Sequence, residues 1–145
     1  MQTFDINSSR IQKRLIANNH LAFAFLTHMT ILPGHTLVCP LRQVASSDDL
    51  THEEWHSILS LKTQICIALK KSLGAQGFNF AWNQAEVAGQ TVPHFHLHIV
   101  PRSSGDNGII EYEPRKFLYR TGSRSITPME ELENTALLIK NNLNN

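Results

Sequence analysis

The chain has 145 residues, of which 41% are hydrophobic and 17% charged, and its formal net charge is +1. This composition is typical of one soluble globular domain over 1–145 and excludes a disordered chain. The nearly balanced charge argues against a broad nucleic-acid surface, although a small phosphate pocket needs no excess of charge. No apolar run approaches the roughly 20 residues of a membrane span, and the first residues do not resemble a signal peptide.

Two cysteines, Cys39 and Cys66, lie far apart in the sequence and form no C-x-x-C unit. Cysteines that are few and widely spaced are typical of reduced, buried thiols. Their spacing also supplies no second half of a structural zinc site. We therefore expect a cytoplasmic protein in which both thiols are reduced.

The first third of the chain predicts one helix and two strands. Residues 7–9, Asn-Ser-Ser, suit the start of a helix over 10–17, with an early strand as the alternative for this stretch. Residues 21–27 alternate in the manner of a strand, and a second strand is predicted over 35–41. The Pro-Gly pair at 33–34 suits the two central positions of a type II turn, so the strands should form an antiparallel hairpin.

The middle of the chain predicts a long helix and two further strands. Thr51 and Glu54 form a capping box, and an apolar stripe of helical period follows over 52–73. Residues 78–83 alternate as a strand, and a loop over 84–91 leads to the last one. This order of elements predicts an α+β domain, in which the long helix covers one face of an antiparallel meander of about five strands.

The C-terminal part predicts a loop and one more helix. Residues 103–108 have the composition of a loop. The stretch from there to residue 125 has mixed charges and few clear periods, so we expect it to be mobile or to contact a partner. A second capping box at 127–130, with proline at the first helical position, predicts a helix over 128–142.

His94, His96 and His98 recur at every second position and alternate with apolar residues. Strict alternation is typical of a half-buried strand, on which residues two apart point to the same face. The histidines should therefore line one surface of the sheet, while the apolar residues between and after them pack into the core. Imidazole is the side chain best placed to move protons or attack an electrophile near pH 7.

The three histidines have two other interpretations from the residues alone. One is the exposed polar face of an edge strand, which would carry no chemistry. The other is a zinc site, because two histidines two apart on a strand can share a metal ion with a third ligand from a neighbouring strand. The spacing of the histidines does not decide between these readings and a catalytic one.

The stretch around the histidines resembles the histidine-triad (HIT) family of nucleotide hydrolases and transferases. Residues 94–100 match the family motif His-φ-His-φ-His-φ-φ, in which φ is apolar, at every position. Gly-Gln-Thr-Val at 89–92 and Pro-Arg at 101–102 are similar to the fragile-histidine-triad-like branch of diadenosine polyphosphate hydrolases. The resemblance covers about 21–102 and implies a HIT-like fold and a homodimer. It implies no resident cofactor or metal, and a divalent cation would enter only with the substrate phosphates.

The resemblance also implies roles for four histidines. His96 would be the nucleophile that attacks the α-phosphate of a nucleotide, and His94 would orient its ring. His98 would contact the phosphate and the departing oxygen. His35 follows the Pro-Gly turn in a context similar to the family's and would support the triad, although a lone histidine on a strand is more often structural.

Further residues would bind the substrate. Gln90 and the Thr91 backbone would hold phosphate oxygens as charge builds in the transition state. Asn83 lies opposite the apolar side of its strand, which suits a contact to ribose or phosphate. Leu37 shares the face of His35 and would line the base pocket, although a strand leucine is by default a core residue.

Two positions depart from the family pattern. Thr27 stands where family members usually carry Asp or Asn for the ribose hydroxyls, and it offers one hydrogen bond where a carboxylate makes two. Ala85 stands where the loop before the motif usually has glycine, so we expect this loop to take a slightly different path. Neither departure touches the reacting histidines.

The resemblance therefore implies an enzyme that transfers a nucleotidyl group to water, with dinucleoside polyphosphates as first candidate substrates. Nucleoside phosphoramidates and nucleotide sugars are the alternatives. A different class is a nucleotide-binding signalling module whose slow turnover is incidental, and a third is a metal-dependent hydrolase. Fold by itself decides none of these.

Overall fold

The computed structural model describes residues 3–108 and 125–143. These residues form an α+β fold with five strands, as the sequence predicts. The helices and strands are α1 Ser9–Gln12, β1 Leu15–Asn18, β2 Ala22–Leu26, β3 Thr36–Pro40, α2 His52–Leu73, β4 Gly77–Ala81, β5 Leu97–Arg102 and α3 Met129–Lys140. Two short 3₁₀ helices, Ser47–Asp49 and Glu86–Ala88, lie in the connections.

The sheet is antiparallel throughout, with the strand order β1-β2-β3-β5-β4. The expected meander is therefore wrong for the last two strands, because β5 returns to the middle of the sheet and leaves β4 at the edge. Burial gives the physical reason. Ile99 and Val100 of β5 point to opposite faces and are both fully buried, whereas β4 is only partly covered. An apolar strand with two buried faces belongs in the interior of a sheet.

Helix α2 forms as predicted and covers one face of the sheet together with α3. Its capping box is complete, since the Thr51 hydroxyl accepts from Glu54 N and the Glu54 carboxylate accepts from Thr51 N. Gly74 ends the helix in the left-handed conformation. The buried core beneath α2 is apolar and contains, among others, Ala24, Leu26, Val38, Ile58, Leu61, Ile65, Leu69, Phe95, Leu97 and Ile99.

The helix predicted over 10–17 is wrong beyond its first turn. Ser8 caps the single turn of α1 by accepting from Ile11 N, and the alternative interpretation, an early strand, then holds for β1. Strand β1 pairs with β2, and Leu15 and Ile16 pack on opposite sides of the sheet. Pairing with a buried neighbour strand outweighs the weak local helix signal.

The predicted hairpin between β2 and β3 forms, and its turn has the expected chemistry. His35 N donates to Leu32 O at 3.1 Å, and Gly34 has a φ of +91°. A positive φ at this position is what a type II turn requires and what glycine permits. The space is also tight, because a Cβ on Gly34 would stand 2.7 Å from Leu73 Cδ1.

The face of the sheet opposite α2 has its own apolar cluster. Its buried members are Ile11, Phe23, Phe25, Leu37 and Cys39, and the N-terminal residues Phe4 and Ile6 pack against it. The first residues of the chain thus cross this face. The histidines lie on the same side of the sheet.

Helix α3 lies within the predicted 128–142, but it lacks the predicted capping box. Pro128 is its N-cap, and the Thr127 hydroxyl lies 3.1 Å from the Thr30 hydroxyl. Most of the stretch for which we expected mobility or a partner contact, 109–124, lies outside the described residues. Within the described ranges, no helix combines the length and apolarity needed to cross a membrane.

Candidate active site

The three histidines do not all lie on one strand, because β5 begins between His96 and His98. Strand β5 begins at Leu97, so His98 lies on it, while His94 and His96 lie in the irregular segment before it. That part of the strand prediction is wrong because the backbone bonds elsewhere: Phe95 N donates to Val44 O at 2.6 Å. The alternation nevertheless holds, and Phe95 packs into the core beneath α2.

All three histidines are buried. The exposed fractions of His94, His96 and His98 are 0%, 6% and 1%. The face of the sheet on which they lie is therefore covered, and one cause is Phe4. Its ring centroid lies 5.8 Å from that of His94 and 5.4 Å from that of His96, the latter edge to face.

His94 is held as a neutral ring by two main-chain groups. Its Nε2 lies 2.7 Å from Pro40 O, and its Nδ1 accepts from Phe4 N at 3.2 Å. A carbonyl only accepts and an amide only donates, so the proton is on Nε2. Burial lowers the pKa of His94, which also favours the neutral form.

His96 has a defined tautomer as well. Its Nδ1 lies 2.8 Å from the carbonyl oxygen of His94. Since that oxygen only accepts, Nδ1 carries the proton, and in the neutral ring the lone pair is on Nε2. An imidazole in this state can attack phosphorus without a prior deprotonation.

His35 is brought against His98 by the pairing of β3 with β5. Leu37 faces His98 across this pair, and His35 Nε2 lies 2.9 Å from His98 Nδ1. Ile31 N donates to His35 Nδ1 at 3.0 Å, so the His35 proton is on Nε2 and points at His98. His98 therefore accepts through Nδ1, and the proton of its neutral ring is on Nε2.

Gln90 holds the loop that precedes the histidines. Its Oε1 accepts from Ala85 N at 2.9 Å, and its Nε2 donates to Ala45 O at 3.0 Å. One amide hydrogen remains for a phosphate oxygen. Thr91, next to it, is exposed and is separated from His94 by only two residues.

Ala85 adopts a backbone conformation that is normally restricted to glycine. Its φ is 77° and its ψ is 155°, and it is the only non-glycine residue with positive φ among those described. This finding refines the expectation of a different loop path. The loop takes a path that suits glycine, and Ala85 carries the strain.

The residues predicted to bind the nucleoside lie around the same face. Thr27 is fully buried just beyond β2, and its hydroxyl accepts weakly from Met29 N at 3.4 Å. Leu37 is buried in the apolar cluster of this face. Asn83 is half-buried two residues after the end of β4, which is shorter than predicted.

A cavity of about 640 Å³ lies between the N-terminal segment and the loops near Val92, and it is lined by Phe4, whose ring packs against His94 and His96. Its lining includes Phe4 and Arg14, which our sequence reasoning did not single out. Arg14 is 4% exposed, stacks on Phe25 at 5.3 Å, and donates from Nη1 to Leu26 O. No local motif marks these residues, because their contacts join distant parts of the chain.

The hydrogen bonds disfavour the zinc interpretation of the histidines. Both ring nitrogens of His94 and of His35 lie within hydrogen-bond distance of protein groups, so neither ring presents a lone pair to a metal ion. Within 3–108 and 125–143, no group of three or more His, Cys, Asp or Glu side chains is placed to hold a metal.

Comparisons with known proteins identify the family of the chain. A family model, the HIT domain, matches residues 8–105. The chain is 36% identical over 104 residues to an uncharacterized HIT-like protein of Mycoplasma genitalium, covering 72% of this chain and 74% of that one. It is 37% identical over 95 residues to the bis(5'-adenosyl)-triphosphatase of Dictyostelium discoideum, covering 66% and 64%.

A solved structure gives the same result for the fold. The crystal structure of a HIT-like protein from Bartonella henselae, involved in cell-cycle regulation, matches with a TM-score of 0.75 at 27% identity. The match covers 97% of this chain and 100% of that one. Because the HIT model spans more than half of the chain and includes all three alternating histidines, this chain belongs to the HIT domain family.

Proposed function

We propose that this protein is a nucleotide hydrolase in which His96 attacks the α-phosphate and forms a nucleotidyl-histidine intermediate. The observation that carries the proposal is the 2.8 Å bond from His96 Nδ1 to the His94 carbonyl, which leaves the lone pair on Nε2. In the first step the bond from His96 Nε2 to phosphorus forms, and the bond from phosphorus to the bridging oxygen breaks. Water then attacks phosphorus, the bond to Nε2 breaks, and a nucleoside monophosphate is released.

His98 stabilises the departing oxygen by a hydrogen bond. Its Nδ1 accepts from His35, so the proton of the neutral ring is on Nε2. This N–H donates a hydrogen bond to the departing oxygen, which leaves as a phosphate anion, and the proton lost by the attacking water goes to solvent. His35 is thus a positioning residue that selects the useful tautomer of His98.

The remaining predicted residues hold the substrate. Gln90 has an amide hydrogen for a phosphate oxygen while its other contacts fix the loop. Thr91 is exposed beside it and supplies its backbone N–H. The nucleoside enters from the 640 Å³ cavity, which Phe4 and Val92 line. Thr27, Leu37 and Asn83 keep their proposed role as contacts to the nucleoside.

Dinucleoside polyphosphates are the proposed substrates. Support comes from the Dictyostelium relative, which is a bis(5'-adenosyl)-triphosphatase. Nucleoside phosphoramidates are the second candidate, because the same attack on the α-phosphate applies when an amine leaves. A divalent cation enters only as a partner of the substrate phosphates.

The test is a substrate panel with two variants. Wild-type protein should hydrolyse diadenosine polyphosphates faster than adenosine phosphoramidates or nucleotide sugars. His96→Ala should lower kcat by more than about 10⁴-fold and leave ground-state nucleotide binding nearly unchanged, because a nucleophile acts mainly in the transition state. His94→Ala should lose less.

Rapid quenching locates the intermediate. Wild-type enzyme quenched under alkaline conditions should carry the nucleotide on His96, detected by mass spectrometry. Near-normal turnover by His96→Ala, or a nucleotide mapped to another residue, would contradict the mechanism. Tight nucleotide binding with barely measurable turnover of every substrate would instead favour the signalling module.

We also propose a homodimer and a cytoplasmic location. Among the described strands, β4 has a neighbour on one side only, and Phe80 and Trp82 beside this edge are 45% and 42% exposed. An open edge with exposed aromatic residues favours addition of another strand. Light scattering of wild-type protein should give twice the mass of one chain. The Phe80→Glu variant should have the mass of a single chain, because the added charge disrupts the dimer contact. Cys39 and Cys66 are both free thiols, which suits a reducing compartment.

A further inference from the structure

The first two turns of helix α2 carry two histidines that have no role in the proposed function. His52 and His56 enclose the sequence His-Glu-Glu-Trp-His at 52–56, which has the H-E-x-x-H spacing. Residues four apart lie on the same face of a helix, with Cβ atoms about 5–6 Å apart. Both side chains are exposed to solvent.

The helix holds the two histidines in a favourable relative position. Side chains on a helix lean toward its N-terminus, so the His56 ring leans toward His52. Nitrogen ligands lie about 2.0–2.1 Å from a bound zinc ion, so two rings one turn apart can share one ion. The capping box of Thr51 and Glu54, with bonds of 3.0 Å and 2.9 Å, keeps this end of α2 from fraying.

Neither imidazole is engaged elsewhere. Within 3–108 and 125–143, the rings of His52 and His56 form no hydrogen bond or ion pair. Both rings can therefore turn a nitrogen lone pair toward solvent without breaking an existing contact. This distinguishes them from His94 and His35, whose ring nitrogens are bonded to protein groups.

The described surroundings do not supply the protease chemistry that the H-E-x-x-H spacing suggests. A zinc hydrolase of that type needs a third protein ligand and a general base, and the described part of the chain holds no group of three metal-ligating side chains. Glu54 is already bonded to Arg42 at 2.7 Å and to Thr51. The site thus offers two imidazoles, and water must complete the coordination.

We propose that His52 and His56 form a two-histidine chelate for a divalent transition-metal ion on the outer surface of α2. Neutral imidazole binds Cu²⁺, Ni²⁺ and Zn²⁺, and affinity follows the order Cu²⁺ > Ni²⁺ and Cu²⁺ > Zn²⁺. The helix dipole has its positive end here, and this makes cation binding less favourable. The negative charges of Glu53, Asp48 and Asp49 near the same end of α2 make cation binding more favourable.

The site is independent of the nucleotide chemistry. Helix α2 covers one face of the sheet, and the reacting histidines lie on the other. A metal ion bound at His52 and His56 therefore leaves hydrolysis unchanged.

Calorimetric titration of the full chain with Cu²⁺ and Ni²⁺ tests the proposal. Wild-type protein should bind one ion, and His52→Asn and His56→Asn should each weaken binding at least tenfold. His20→Asn, which removes another exposed histidine, is the matched control and should bind as wild type. Circular dichroism should show the same helix content in all variants.

Two results would overturn the proposal. One is unchanged affinity in the double variant His52→Asn/His56→Asn, which would place the ion elsewhere. The other is no binding of Cu²⁺ by wild-type protein at millimolar concentration. Activity measured with and without bound Ni²⁺ separates the site from the proposed function: unchanged rates are expected, and a lost rate would show that the ion acts at the reacting histidines.

Discussion

His35 and His98, which are 63 positions apart in the chain, are joined by a hydrogen bond of 2.9 Å between Nε2 and Nδ1. The main-chain amide of Ile31 donates to the other nitrogen of His35 and so orders the protons of both rings. One backbone group thereby sets which nitrogen of His98 carries the proton, and in the proposed mechanism that nitrogen faces the departing oxygen. The pairing of β3 with β5 brings the two rings together.

Replacing His35 should therefore affect catalysis more than binding. In His35→Asn the side chain is too short to donate to His98, and either His98 tautomer becomes accessible. We expect kcat to fall roughly 10- to 100-fold, the loss typical when a group that orients a functional imidazole is removed. KM should stay within about twofold. Steady-state kinetics measure both, with His20→Asn as control, and a rise in KM at constant kcat would contradict the positioning role.

Ala85 should be a site where glycine stabilises the protein. A residue held in this backbone region costs on the order of 1–3 kcal/mol, and glycine removes most of that strain. Part of the gain is lost to the greater freedom of glycine in the unfolded chain. We expect Ala85→Gly to raise the free energy of unfolding by about 1 kcal/mol, measured by urea denaturation.

The control for Ala85 is Ala88→Gly in the same loop. Ala88 lies in the 3₁₀ helix and is exposed, and its φ is negative. Glycine at position 88 relieves no strain, so the substitution should lower the free energy of unfolding by roughly 0.5–1 kcal/mol. Loss of stability in both variants would show that Ala85 is not strained.

Gly34→Ala should destabilise the β2–β3 turn. Gly34 has a φ of +91°, and an added Cβ would approach Leu73 Cδ1 to 2.7 Å and Leu69 Cδ2 to 2.9 Å. Backbone strain and overpacking together should cost about 2–4 kcal/mol. Gly77→Ala is the control, because a Cβ there meets no atom within 4 Å, and its stability should change by less than about 1 kcal/mol. Equal losses of stability in the two variants would contradict the explanation by strain and crowding at Gly34.

His94 should make stability depend on pH. Burial lowers the pKa of His94 in the folded protein, whereas in the unfolded chain it is about 6.5. Between these two values the unfolded state binds more protons, so the free energy of unfolding falls as pH drops below about 6.5 and levels off above it. Protonation would also end the bond in which Nδ1 accepts from Phe4 N.

Urea denaturation between pH 5.5 and pH 8 measures this dependence. His94→Gln should lower stability at pH 7 and flatten the slope below about pH 6.5, because the substituted side chain does not titrate. An unchanged slope would show that another group carries the effect. His20→Asn, at an exposed position, should leave the slope as in wild type.

The sequence by itself determined the parts of this protein that depend on local periodicity and local capping. Helix α2 has the predicted bounds, because an apolar stripe and a capping box lie within one continuous stretch. The alternation around His96 also predicts which neighbours enter the core, since a two-residue period places Phe95 and Leu97 on one side. The family motif lies in the same short segment.

Only the tertiary structure decided the features that depend on partners far away in the chain. Leu15 and Ile16 belong to a strand because β2 is there to pair with them, and β5 enters the middle of the sheet because both of its faces are buried. Phe4 reaches His94 across 90 positions. Such contacts gain their free energy from burial and hydrogen bonds that exist only in the folded chain, so no local pattern records them.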